Sequence, residues 1–159
     1  MRKLARPEWD DREGPAANTH QKLPTLINKY FILVQKVMSD ANPSPEKLHS
    51  LRLATKQTRY TLELFRSCYG AGLETRLEGL RQIQALLGEV ADCAAAQRTL
   101  TQSVRSVTSR ALVKAFLKTR VESKTAEFRK YWTEQFDAEG RERWWTGYLE
   151  RSARPPARR

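Results

Sequence analysis

The chain has 159 residues, 29 of them Lys or Arg against 18 Asp or Glu, for a formal net charge of +11 at pH 7. That length suits one domain with its own apolar core, and the charge favours acidic partners (nucleic acid, anionic membrane, free polyphosphate) without choosing among them. Cys68 and Cys93 lack metal-ligand or redox spacing and read as small buried hydrophobes, and no apolar run approaches the roughly 18 residues of a membrane-spanning helix, so neither a metal, a cofactor nor a membrane partner is expected.

Residues 1–21 are polar, carry Pro7, Gly14 and Pro15, and predict a flexible arm. Their start, MRKLARPEWDD, turns acidic where a secretory leader turns apolar, which predicts a cytoplasmic protein. Leu26, Tyr30, Leu33 and Val37 then recur at three- and four-residue intervals and predict a first helix over 23–40, ended by Asn42, Pro43, Ser44 and Pro45. A second helix starts with Ser44 as N-cap, Pro45 at the first position and Glu46 in the first turn, and should run to Tyr69, before Gly70 and Gly72. Leu73, Leu77, Leu80, Leu87, Ala91 and Ala94 mark a third apolar face directly after those glycines, so the second and third helices should form an antiparallel hairpin.

A Ser/Thr-rich stretch, 99–109, reads equally as a loop or as a frayed end of that helix. A fourth helix over 109–136 follows from Val113, Leu117, Phe128, Tyr131 and Trp132. Gly140 stops it, and Trp144, Trp145, Tyr148 and Leu149 suit a short helix capping the core. The end, RSARPPARR over 151–159, has the composition of a disordered basic tail. With no strand pattern, the expected fold is all-α: an antiparallel up-down four-helix bundle over 22–150 with a short C-terminal capping helix.

The second helix carries the informative pattern. Each residue advances about 100°, so Leu51, Ala54, Thr58, Leu62, Phe65 and Tyr69 share the face turned to the core. His49, Arg52, Lys56 and Arg59 fall elsewhere, in one stripe of donors spaced about 5 Å apart, which matches an extended anion. Such a row can also be a plain solvated face. Two features argue against that: no acid interrupts the helix between Glu46 and Glu63, and Leu53, Tyr60 and Leu64 add a second apolar stripe beside the bases. Folding the chain back near residue 71 sets Asp92 level with His49 and Arg52, where a carboxylate can orient the imidazole or guanidinium and favour the doubly protonated histidine. The next connection, near residue 105, brings Lys114 and Lys118 to the same level.

The segments HSLRLATKQTRY over 49–60 and LLGEVAD over 86–92 together resemble the CHAD family, the conserved-histidine α-helical domain, over roughly 25–136. The resemblance implies a helical domain that binds inorganic polyphosphate, associates with polyphosphate granules and often accompanies a CYTH-type triphosphatase. It implies phosphate contacts for His49, Arg52, Lys56 and Arg59, and the family's acidic position for Asp92. Gln57 and Ala91 depart from the pattern, standing where further polar or basic residues are common. The family usually has two such bundles facing across a basic channel, and this chain has one, which gives the Leu53, Tyr60 and Leu64 stripe a use as a homodimer contact.

A nucleic-acid-binding helical protein is the alternative, since phosphate neutralisation works on RNA and DNA as well. Its support is thin, because only Tyr60 offers a stacking platform near the bases. A phosphohydrolase would need clustered carboxylates for metal ions, and the converging zone offers Asp92 alone among five or more bases, so no catalytic residue is expected.

Overall fold

A computed structural model describes residues 15–103 and 105–151, and the regular elements among them are all helical. The expected arm and tail fall largely on residues 1–14 and 152–159, outside the described residues. The first helix, α1 (Pro15–Met38), begins earlier than its apolar spacing suggests. Its opening turns are held by contacts distant in sequence: Thr19 is buried, and His20 Nδ1 bonds to the carbonyl of Glu150 at the far end of the chain. Pro24 sits inside α1 without breaking it, because Leu23, Leu26 and Ile27 around it are buried and outweigh one lost backbone hydrogen bond.

Helix α2 (Pro45–Leu64) starts as expected, with Ser44 Oγ accepting from the Lys47 amide at 3.3 Å and Pro45 at the first position. It does not continue unbroken to Tyr69. Phe65 leaves helical dihedrals at φ −103° and ψ 17°, and one further turn, α3 (Arg66–Tyr69), follows. Gly70, at φ +67° and ψ −160°, then takes a positive-φ conformation that glycine adopts without a steric penalty. Helix α4 (Ala71–Ser103) is 33 residues long, which corresponds to about 50 Å. The Ser/Thr-rich stretch divides between two helices: α4 runs to Ser103, and α5 (Val107–Tyr131) starts under a Ser106 cap whose Oγ accepts from Ser109 N at 3.3 Å. A π-helical turn, Trp132–Phe136, extends α5, and α6 (Arg141–Arg151) follows Gly140, at φ +79°.

Helix α4 packs against α2 on one side and α5 on another, while α1 lies on α2 and α6. Leu51 and Leu62 of α2, Leu77 and Ile83 of α4, Tyr30 and Phe31 of α1 and Phe128 of α5 are fully buried, each contributing roughly 2 kcal/mol through apolar burial. The Tyr30 hydroxyl pairs with Thr55 Oγ1 at 3.0 Å, and burial pushes its pKa up. Trp145 and Leu149 of α6 are buried in the same core, as expected for a capping helix. Both cysteines are buried and free. Among the described residues no helix is long and apolar enough to cross a membrane.

Candidate functional site

The basic row stands on α2, turned away from the buried face formed by Leu48, Leu51, Thr55, Thr58 and Leu62. His49 and Lys56 are exposed, whereas Arg52 and Arg59 are half-buried because they lean onto α4. Arg52 lies over Gly88: a Cβ at that glycine would be 3.8 Å from Arg52 Nε. About two turns further along α2 toward the hairpin bend, Arg59 Nε donates to Gln84 Oε1 at 3.0 Å. These two contacts fix the register expected from a bend near residue 71. The Tyr60 ring serves as a platform for the row, with the Arg59 guanidinium 4.3 Å and the Lys56 ammonium 5.5 Å from its centroid.

The bases differ in how far the protein satisfies them. His49, Arg52 and Lys56 form no ion pair among the described residues, and Arg52 Nε is buried without a hydrogen-bond acceptor. A buried cationic donor without an acceptor is costly unless an anion completes it. Arg59 is instead paired, with Nη1 donating to Glu63 Oε1 at 2.6 Å. The row is therefore open at its His49 end and closed at its Arg59 end.

Asp92 does not make the expected contact: Arg52 lies over Gly88, so Asp92 stands about one turn beyond Arg52 on α4. Asp92 is exposed and makes no hydrogen bond to His49 or Arg52; it lies in a shallow cleft with Cys93, Phe116, Leu117 and Arg120, between α4 and α5. Gly88 sits under the row, and Asp92, four residues on, is rotated by about 40° toward α5. Lys114 and Lys118 are exposed on α5, and Lys118 pairs with Glu122 at 3.8 Å. Among the described residues no hydrogen bond or ion pair joins them to the α2 row. Leu53, Tyr60 and Leu64 are solvent-exposed, as their spacing predicts, with Leu64 79% exposed.

Two further arrangements were missed in the sequence. Around Glu63, Arg81 Nη2 lies at 3.4 Å and Arg66 Nη2 at 4.0 Å from the same Oε1 that holds Arg59, while Glu74 and Glu78 bind Arg81 at 2.7 and 3.0 Å. Its local part is visible in the i,i+4 spacing of Arg59 and Glu63, but Arg81 arrives only through the hairpin. At the opposite edge of α4, Arg76 is 6% exposed and stacks on Trp144 and Tyr148, with centroids at 3.4 and 3.8 Å. Its amino groups donate to the carbonyls of Gly72 and Trp144, at 2.9 and 2.7 Å, and burial lowers its pKa to about 10.

Comparison with known proteins adds one finding. The family model described as CHAD domain matches residues 1–101, nearly two thirds of the chain, and this span contains the whole α2 row, Gly88 and Asp92. No curated protein and no solved structure matches the chain.

Proposed function

Given that the chain belongs to the CHAD domain family, we propose that it binds inorganic polyphosphate along the α2 row, with His49, Arg52, Lys56 and Arg59 as phosphate contacts. The observation that carries this reading is the open half of the row: three neighbouring bases with no acidic partner, one of them with a buried, unsatisfied Nε. A linear polyanion supplies an acceptor at each step, so the row gains charge-assisted hydrogen bonds at successive turns. The frame we infer is an antiparallel four-helix arrangement of α1, α2, α4 and α5 with its π-helical extension, capped by α6. Lys114 and Lys118, on α5, extend the attractive field rather than touch the phosphates, and the carboxylate of Asp92 subtracts from that field.

We read the protein as a binder and not an enzyme. Binding of this kind suits attachment to polyphosphate granules in the cytoplasm and association with a CYTH-type triphosphatase. Exposed Leu53, Tyr60 and Leu64 lie beside the bases, so two copies meeting there set their rows on either side of one chain of phosphates. Repulsion between two chains of +11 opposes this pairing until the polyanion cancels their charge.

Competition among polyphosphate, RNA and heparin for the protein, at several salt concentrations, tests the reading. Polyphosphate is expected to win by at least tenfold and to keep its advantage as salt rises. Equal affinities that collapse together with salt would mark a merely cationic surface, and a preference for RNA would establish the nucleic-acid alternative.

A further inference from the structure

The stripe on α2 does not end at Arg59. Continuing its three- and four-residue steps from Arg52, Lys56 and Arg59, the next position is Glu63, so an acid stands where the next base of the row would be. Three guanidinium groups from two helices and the turn between them converge on its Oε1: Arg59 at 2.6 Å, Arg81 at 3.4 Å and Arg66 at 4.0 Å. That is the donor set of an anion site, with a side-chain carboxylate as the anion. The site is also only partly closed, since the Glu63 side chain is 24% and that of Arg81 33% exposed. Glu74 and Glu78 hold Arg81 from the other side, and Glu74 holds Arg66 at 3.1 Å, so these two cations stay in place whether or not Glu63 does.

We propose that Glu63 occupies the next phosphate position of the track, and that a polyphosphate long enough to reach it displaces the carboxylate from Arg59 and continues onto Arg81 and Arg66. The proposal rests on the polyphosphate reading above and adds two things to it: a binding subsite on α3 and α4, and an internal competitor that favours long chains over short ones. A short chain gains its contacts at the open His49 to Lys56 end and leaves Glu63 untouched. A long chain must compete with Glu63 and is repaid by two further arginines.

Affinity for tripolyphosphate and for long-chain polyphosphate, measured by calorimetry on the wild type, on Glu63→Gln and on Arg81→Gln, tests this. Glu63→Gln is expected to tighten long-chain binding by about three- to tenfold, because the part-buried carboxylate no longer competes for Arg59, and to steepen the salt dependence by about one released counterion. Tripolyphosphate affinity should move by less than about twofold in the same variant. Arg81→Gln is expected to weaken only the long chain. Unchanged or weaker long-chain binding by Glu63→Gln, in a protein with wild-type helical signal and thermal midpoint, overturns the proposal and makes Glu63 a positioning residue for Arg59. Should Glu63→Gln misfold, unaltered long-chain affinity in Arg81→Gln overturns it instead. A wild type that binds neither ligand removes the polyphosphate reading itself, which separates that failure from this one.

Discussion

Arg76 and Arg52 both lean on α4 and both lack a carboxylate partner among the described residues, yet their surroundings give them opposite roles. Arg76 is enclosed by Trp144 and Tyr148, and its two amino groups end on backbone carbonyls, so its charge is spread over aromatic faces although its Nε, like that of Arg52, is buried without an acceptor. Arg52 covers a glycine, stays half-exposed, and has a buried Nε facing no acceptor. With a buried Nε lacking an acceptor in both, what separates the two arginines is where the amino groups and the guanidinium face end: on carbonyls and aromatic rings for Arg76. One closes a seam between α4 and α6; the other, on the reading proposed above, is completed by an anion.

The largest test of that contrast is Arg76→Ala. It removes two hydrogen bonds and the stack under Trp144, and should cost about 2–4 kcal/mol, a fall in thermal midpoint of roughly 5–15 °C, with affinity per folded molecule unchanged. A midpoint within a degree of wild type would mean the seam does not depend on it. Arg52→Ala should do the reverse, weakening polyphosphate by about ten- to a hundredfold through lost charge-assisted bonds while the midpoint barely moves. Arg59→Ala should weaken binding less than Arg52→Ala, because its charge is already shared with Glu63, and Arg151→Ala or Arg154→Ala less again. Substitutions at these C-terminal arginines that outweighed Arg52→Ala would reassign the site.

Smaller effects sharpen the picture. Leu53→Asp and Leu64→Asp should suppress any rise in mass toward two chains on adding long polyphosphate, seen by sedimentation, with helical content intact; a strict monomer in the wild type leaves a one-sided binder. Smallest should be Gly88→Ala: the added Cβ meets Arg52 Nε at 3.8 Å, an ordinary contact, so affinity should shift by no more than about twofold. A tenfold loss would show that Arg52 must settle onto bare backbone to bind.

The parts of this molecule legible in the sequence are those set by neighbours on one helix. Ser44 with Pro45 marked the start of α2, the Leu51, Ala54, Thr58 and Leu62 spacing gave its buried face, and the Leu53, Tyr60 and Leu64 stripe was found exposed as its period required. The hairpin bend gave the register of α2 on α4 to about one turn but not the direction of Asp92, since register depends on counting residues and direction on how two helices roll against each other. The early start of α1 was hidden because its stabilising partner, Glu150, lies 130 residues away. Arg76 was hidden for a related reason: only the return of α6 over α4 turns a charged residue beside Leu73 and Leu77 into a core member.

The π-helical turn after α5 bears on which changes of chain length the protein tolerates. Trp132 and Phe136 stack there at 4.9 Å, both against Phe31, and the Asp137 amide reaches back to the Trp132 carbonyl at 2.7 Å, the wide i→i+5 closure. Such a turn holds one residue more than an α-helical turn over the same span. Loss of a single residue from 133–135 therefore has a ready outlet, relaxation into an ordinary α-helical turn, whereas the same loss in the middle of α4 would rotate everything after it by about 100° and tear the core face from its partners. Among the described helices, this segment is where a one-residue deletion should be survivable.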